Sequence, residues 1–279
     1  MTDWCTQDLG AVLSMIGSTE LQIHSVDPVS WMDKAIIPLA STFFGAVGGS
    51  MTIIAVEWWR QRMRLLADIN ASIAIFGNLL NTLVNIKGQF ILELTGYYES
   101  DVQKFQALQV MKKLNPNPSE PVVVSFSPYL KRYDCPMLFV DAPLERIFAE
   151  AHKGAARTVQ IITQAKTTVK EIEVVCGRWN EMIEKMQSMP ENDRGKFYFG
   201  QPISTGVADT CYPDTVQCLK LYTDDALFFA NRSVTALQKL GQQVLPFWLK
   251  KRVGKIIMDD ERHKSLMPPE NHLEGWNAE

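Results

Sequence analysis

The chain has 279 residues, of which 46% are hydrophobic and 21% are charged, a balance typical of folded proteins that excludes wholesale disorder. A mean hydropathy of -0.07 excludes a protein with many membrane spans, but leaves room for one span beside a large aqueous part. The formal net charge of -3 excludes a global basic field that would attract nucleic acid, so no nucleic-acid partner is expected.

The five cysteines follow no framework spacing. None forms a CxxC pair, and an odd count argues against a disulfide scaffold. We therefore expect the four downstream thiols to lie in a reducing compartment; they are Cys135, Cys176, Cys211 and Cys218.

Residues 1–33 contain five acidic residues and no lysine or arginine, so all 28 basic residues follow them. The sequence predicts that this segment is an extracytoplasmic amino-terminal arm. Its apolar residues fit a short helix on the outer membrane surface, and they fit a floppy tail equally well. In an oxidising space, the lone thiol of Cys5 could cross-link two copies.

Residues 35–56 form a run of 22 residues without a charged side chain. A helix needs about 20 apolar residues to cross a hydrocarbon core about 30 Å thick, so the length fits. Trp58 and Trp59 stand where an interfacial aromatic belt belongs. We predict a transmembrane helix over residues 34–59; the alternative is the fully buried core helix of a soluble domain.

The flanking charges predict the orientation of this span. Arg60, Arg62 and Arg64 follow it, whereas only Lys34 precedes it. By the positive-inside rule, residues 57–279 lie in the cytoplasm and the amino terminus lies outside. The chain start lacks the basic region of a cleaved signal peptide. We therefore expect a single-pass protein of the cell inner membrane, in contact with membrane lipids.

Small residues recur every four positions in the span, at Ser41, Gly45 and Gly49. Such spacing forms a groove in which the backbone of a second helix can approach closely, and in lipid this packing drives helix association. The pattern predicts a homo-oligomer formed through the transmembrane and stalk helices. The alternative is that glycine is simply common in membrane helices.

Apolar residues after the span follow a heptad pattern that only Lys87 breaks, which predicts that the membrane helix continues into a cytoplasmic stalk. Its members are Leu66, Ile69, Ile73, Phe76, Leu80, Leu83, Phe90 and Leu94. Gly96 is expected to end this helix and residues 100–114 to form a shorter one. Residues 122–126 are expected to be extended. Beside the heptad seam, Asn78, Asn81 and Asn85 indicate a solvated face more than interhelical hydrogen bonds.

The most regular apolar series predicts one long helix over residues 143–187, with Asp141 as its N-cap and Pro143 in its first turn. Its seam contains Leu144, Phe148, Ala151, Ala155, Thr158, Ile162, Ala165, Val169, Ile172, Cys176, Trp179, Ile183 and Met186. Residues 197–213 are expected to form a long loop. A last long helix should begin near Asp214 and keep the same rhythm as far as Phe247.

The sequence therefore predicts an all-α protein: a single transmembrane helix that continues into an elongated cytoplasmic bundle of three long helices and a shorter one, over residues 60–258. Residues 259–279 are expected to be a flexible tail.

One stretch of the body joins aromatic to basic residues: Phe247, Trp248, Lys250, Lys251, Arg252 and Lys255. Such clusters bind anionic lipid headgroups, with about 1 kcal/mol contributed by each cation near the surface. The alternative is a bundle end with a solvated basic face, and the sequence favours neither.

The sequence contains no GxxxxGK[ST], GxGxxG, HExxH or GxSxG motif. The four histidines have no ligand spacing, and Cys211 and Cys218, seven positions apart, suit no zinc site. We therefore predict no catalytic, cofactor-binding or metal-binding residue, and a protein that is not an enzyme.

The layout of an outer arm, one span, a basic stop and a helical body is similar to that of many small single-pass proteins of the bacterial inner membrane. It favours a membrane-anchored, self-associating protein that acts through contacts with an unidentified protein partner, as a scaffold, sensor or assembly component. The alternative is an oligomeric pore-forming or membrane-disrupting effector of a defence or toxin system. A lipid-acting enzyme has the least support.

Overall fold

The computed structural model describes residues 36–115, 125–126, 128–135, 142–150, 155–203, 206–256, 261–269 and 271–273. Most of these residues are helical, and none of them belongs to a strand, apart from one isolated bridge between Pro202 and Ala208. The all-α class is therefore confirmed. The predicted arm over residues 1–33 lies outside the described residues, as do Asp141, Ala151 and residues 122–124 of the predicted extended segment.

The helices, in chain order, are α1 (Ile37–Ile86), a π-helical turn (Lys87–Ile91), α2 (Leu92–Leu114), α3 (Ala142–Glu150), α4 (Ala156–Ser188), α5 (Glu191–Tyr198), α6 (Cys211–Val244), α7 (Phe247–Lys250) and α8 (Glu261–Leu266). The chain divides into two compact units, residues 1–60 and residues 61–279.

The expectation that a helix ends at Gly96 was wrong, because α2 passes through that residue and continues to Leu114. An interior glycine costs a helix only about 1 kcal/mol relative to alanine, while Leu94 and Thr95 beside it are buried. Residues 100–114 are therefore the second half of α2 and not a separate helix. The irregularity lies at Lys87 instead, where the π-helical turn begins. Every apolar member of the first heptad series is buried.

Helices α3 and α4 occupy the predicted long helix, and their outer ends lie within one residue of the predicted ones. Residues 151–154 between them are outside the described part. Along α4 each predicted seam residue from Thr158 to Met186 is buried. A bidentate ion pair holds α3: the Arg146 guanidinium donates to both carboxylate oxygens of the buried Asp68 in α1, at 2.6 and 3.0 Å.

The loop predicted over residues 197–213 was wrong at both ends. Phe197 and Tyr198 belong to α5, where both are buried, and α6 begins at Cys211, three residues earlier than expected. The last helix also stops sooner: α6 ends at Val244, so Phe247 belongs to α7.

Helix α6 packs along α4. Aromatic side chains connect these two helices with the π-helical turn that follows α1. Trp179 lies beside Phe90 and Tyr212, with ring centroids 6.0 and 5.4 Å away. Its indole N–H donates to the carbonyl of Lys131 at 3.0 Å. Because a buried indole needs an acceptor, this bond fixes residues 128–135 on α4.

Part of the predicted flexible tail contacts the helices. Leu266 is buried, and its carbonyl accepts a hydrogen bond of 2.7 Å from the Lys87 ammonium. The His272 ring lies 2.7 Å from the Asp225 carboxylate. Residues 274–279 lie outside the described residues, and the flexibility of the tail stays a prediction.

Candidate membrane-facing segments

The apolar part of α1 exposes its side chains on every side. Leu39 and Phe44 are each 72% exposed and Ile53 is 71% exposed, and none of the most apolar stretch is buried. By length and composition, the helix that α1 begins is the one helix in the described chain that could cross a membrane. A buried core helix would hide these side chains, so the part of the chain that the structure describes does not support that alternative.

The hydroxyl groups of this stretch find acceptors within the helix. Ser41 and Thr42 donate to the carbonyl of Pro38 at 2.9 and 2.8 Å, and Ser50 and Thr52 donate to carbonyls three and four residues earlier. Polar groups that are satisfied inside their own helix are compatible with a surrounding that offers no water.

The predicted row of small residues lies on an open surface. Ser41, Gly45 and Gly49 are exposed, and a methyl group added at either glycine would meet no atom within 4 Å. No segment of the described chain occupies this groove. A second helix backbone could therefore approach it without steric conflict.

The aromatic and basic residues that follow are divided between two environments. Trp58, Trp59, Arg60 and Arg64 are exposed. Arg62 is half-buried, and its guanidinium donates to the carbonyl of Val244, the last residue of α6, at 3.1 Å. Within the second unit, this bond places the end of α6 next to the start of the unit's chain.

Directly after α6, residues 245–256 contain buried apolar side chains that anchor the segment and exposed aromatic and basic side chains between them. Leu245, Leu249 and Val253 are buried, whereas Phe247 is 75% exposed and Trp248 is 45% exposed. Lys250 is half-buried, and Lys251, Arg252 and Lys255 are exposed. The six residues of the predicted basic and aromatic cluster all lie on this short segment, and five of them are exposed.

Three amide side chains hold the backbone of this segment. Asn70 of α1 donates to the carbonyl of Arg252 at 3.0 Å and accepts from the N–H of Gly254 at 2.7 Å. From α6, Gln242 donates to the carbonyl of Lys250 at 3.1 Å and Gln238 to that of Gly254 at 3.2 Å. Sequence reasoning did not identify this amide clamp (Asn70, Gln238 and Gln242).

Two helix glycines provide the room for the segment. A methyl group at Gly241 would lie 2.9 Å from a methyl of Val253, and one at Gly77 would lie 2.6 Å from the end of Ile256. An isolated glycine inside a helical pattern indicates a close approach of another backbone or side chain. These two glycines were therefore the signal in the sequence that could have indicated the close packing of residues 245–256 against the helices.

Two cysteine environments differ in their chemistry. Donation of a hydrogen bond by the Cys176 thiol lowers the pKa of Cys135, and the same bond, together with burial, raises the pKa of Cys176. At the start of α6, a hydrogen bond to the Asp209 carboxylate raises the pKa of Cys211. A nucleophilic thiol needs a lowered pKa, so the surroundings of Cys211 do not activate it.

In the described residues, no group of three or more His, Cys, Asp or Glu side chains is placed to hold a metal ion. Open grooves are present, of which one of about 470 Å³ is lined by Phe105, Phe126 and Phe199 near the end of α2. The chain matches no protein-family model, no curated protein and no solved structure.

Proposed function

We propose that this is a single-pass membrane protein that self-associates and acts through protein contacts, as a scaffold, sensor or assembly component. Residues 34–59 cross the inner membrane, the amino-terminal arm lies outside, and residues 60–258 form an elongated helical bundle in the cytoplasm. The observation that carries this proposal is that no residue in the most apolar stretch of α1 is buried. In water, burying one large apolar side chain is favourable by about 1.5–3 kcal/mol, so such a surface needs a nonaqueous solvent.

The native cysteines offer a test of the topology. Cys5 belongs to the arm, whereas Cys211 is exposed in the body. In spheroplasts of a bacterial host, an impermeant maleimide should modify Cys5, and Cys211 should react only after lysis. Variants Cys5→Ser and Cys211→Ser identify the two signals. Labelling of Cys211 in intact spheroplasts, or recovery of the chain from the soluble fraction without detergent, would contradict the proposal.

Self-association is supported by the open groove at Gly45 and Gly49. We expect a native mass of two or more copies in mild detergent, and a monomer after Gly45→Leu with Gly49→Leu, because the larger side chains keep a second backbone away. Ser50→Leu is the matched control, since at 100° per residue it lies far round the helix from the glycines. Equal loss of oligomer with Ser50→Leu would place the contact elsewhere.

A role in protein contacts is supported by the end of α2. Val110, Met111 and Leu114 are exposed, Leu114 to 81%, and their spacing places them on one side of the helix. They are close in sequence to Phe105, which lines the 470 Å³ groove. We expect that Leu114→Asp reduces the recovery of a specific partner after cross-linking in cells, whereas Leu221→Asp, at an exposed site in α6, does not. Equal recovery with both variants would contradict this role.

No observation favours a pore. The four hydroxyl groups of the stretch donate to carbonyls of their own helix, so they give no reason for a water-filled lining. If expression collapses the membrane potential and Gly45→Leu prevents it, the effector function replaces the scaffold function.

A further inference from the structure

We propose that residues 245–256 are a docking site for the surface of an anionic bilayer, where Phe247 and Trp248 enter the headgroup region and the nearby cations bind lipid phosphates. This inference deepens the proposed membrane anchoring and rests on it.

The first argument is that some side chains of the segment attach it to the core, while others remain exposed. Leu245, Leu249 and Val253 already attach the segment to the core, and the amide clamp holds its backbone. Phe247 and Trp248 project from the segment with 75% and 45% of their surface exposed. Their rings contact each other, with centroids 5.0 Å apart. Adjacent exposed aromatic rings are typical of membrane-interface sites, where one side is apolar and the other is wet.

The second argument is charge. Residues 245–256 contain Lys250, Lys251, Arg252 and Lys255 and no acidic residue. Beside them, an open groove of about 450 Å³ is lined by Lys239, Lys255 and the amides of Gln238 and Gln242. Cations and amide donors are the groups that bind phosphate oxygens. Although the chain has a net charge of -3, the local charge of this segment is therefore positive.

The third argument is position along the chain. Arg62 is bonded to Val244, and Phe247 follows Val244 by three residues. Arg62 itself follows Trp59, the end of the proposed span, by three residues, which a chain can separate by at most about 11 Å. Residues 245–256 therefore follow directly after a residue that is bonded to Arg62, three positions after the end of the proposed span. A solvated basic face would not need two exposed aromatic rings at this point.

The test uses the full chain in nanodiscs of phosphatidylcholine, with or without phosphatidylglycerol, and with brominated acyl chains that quench tryptophan near the bilayer. The quenched fluorescence of Trp248 is the difference in quenching between the wild type and Trp248→Phe. The quenched fluorescence of Trp58 and Trp59, at the end of the proposed span, is the difference in quenching between the wild type and the double variant Trp58→Phe with Trp59→Phe. We expect quenching of Trp248 in phosphatidylglycerol discs and its loss in phosphatidylcholine discs or at high salt.

A charge variant sharpens the test. Lys250→Gln, Lys251→Gln and Lys255→Gln together leave the clamped backbone atoms unchanged. They should lower the ratio of docked to undocked molecules about 100-fold, which reduces Trp248 quenching to the level in phosphatidylcholine. The matched control is Lys112→Gln, Lys113→Gln and Lys220→Gln, which removes the same charge from α2 and α6 and should have no effect.

The outcomes separate the two proposals. If the chain does not enter nanodiscs, or Trp58 and Trp59 are not quenched, the membrane anchoring itself is wrong. If they are quenched while Trp248 is not, anchoring stands and the docking site is wrong. Equal quenching of Trp248 in both lipids would also overturn it, because charge would play no part. Shielding of Trp248 from aqueous acrylamide without quenching by lipid would show that a second copy covers the segment.

Discussion

The ammonium group of Lys87 lies 2.5 Å from the carboxylate of Asp224 in α6. Both side chains are largely buried, with 13% and 20% of their surface exposed, and the ammonium also donates to the carbonyl of Leu266. Lys87 is the one residue that breaks the first heptad series, and the carboxylate of Asp224 balances its charge inside the protein. Through its bond to Leu266, Lys87 also holds the segment near the carboxyl terminus.

We predict that Lys87→Met lowers the free energy of unfolding by about 2 kcal/mol. Removing one member of a fully buried pair costs about 3–5 kcal/mol, and the partial exposure of Asp224 reduces this. Lys87→Met with Asp224→Leu should recover most of the loss. Unfolding of the full chain by urea in detergent measures the effect. Lys220→Met, which breaks an exposed pair with Glu99, should cost less than about 1 kcal/mol, and equal costs would disprove the role of burial.

We predict opposite signs for two helix glycines. In Gly241→Ala the new methyl group would lie 2.9 and 3.2 Å from the methyls of Val253, and such overpacking costs about 1–3 kcal/mol. Gly177→Ala meets nothing within 4 Å and should stabilise α4 by about 0.5–1 kcal/mol. Thermal unfolding in detergent measures both. If Gly241→Ala is also stabilising, the segment that carries Val253 does not pack on α6.

We predict that Cys135 reacts with iodoacetamide at lower pH than an ordinary thiol, whose pKa is about 8.5. The hydrogen bond from Cys176 stabilises the Cys135 thiolate and lowers its pKa. Peptide-resolved mass spectrometry over a pH series measures the rate profile. Cys176→Ala removes the donor and should move the profile to higher pH, whereas Cys218→Ala should leave it unchanged. An unmoved profile in Cys176→Ala would exclude the bond.

We predict that the stabilisation of the fold by the Lys185–Asp209 pair is fully present above about pH 4 and is lost progressively at lower pH. Partial burial works to raise the pKa of Asp209, but hydrogen bonds from Cys211 and Lys185 outweigh it and hold that pKa below 3.8. The unfolded state therefore binds the proton more readily, so the stabilisation is present above the unfolded pKa and is lost as pH falls through the folded one.

Since Lys185 is half exposed, Asp209→Asn should cost only about 0.5 kcal/mol at pH 7, and this difference from wild type should shrink below about pH 4. Unfolding measured from pH 7 to pH 3 gives the profile, and Asp134→Asn at an exposed acid is the control. A cost that stays constant over this range would contradict the assignment.

The buried faces of the long helices could be predicted from the sequence, because burial repeats every three and four residues and is a local property. Ile69, Phe76, Ile172 and Leu237 were identified in this way, and all are buried. Helix α5 could not be predicted, because its sequence is polar and lies between Pro190 and Gly200. Only tertiary packing shows that Phe197 and Tyr198 belong inside the protein.

Composition was sufficient to identify the apolar stretch and the basic, aromatic segment as candidate membrane contacts. Composition could not indicate how the basic, aromatic segment is held against the helices. Asn70 and Arg252 are 182 positions apart, as are Arg62 and Val244, and an asparagine or arginine has many possible partners in a sequence. The contact that places the segment in the second unit therefore became visible only in three dimensions.

The amide clamp binds main-chain atoms at residues 250, 252 and 254, so its hold does not depend on which side chains occupy those positions. During evolution, lysine and arginine there can be exchanged for other residues without loss of the turn that presents them. Such a site can adapt to a membrane of different composition by a few substitutions, while the helices beneath it stay unchanged.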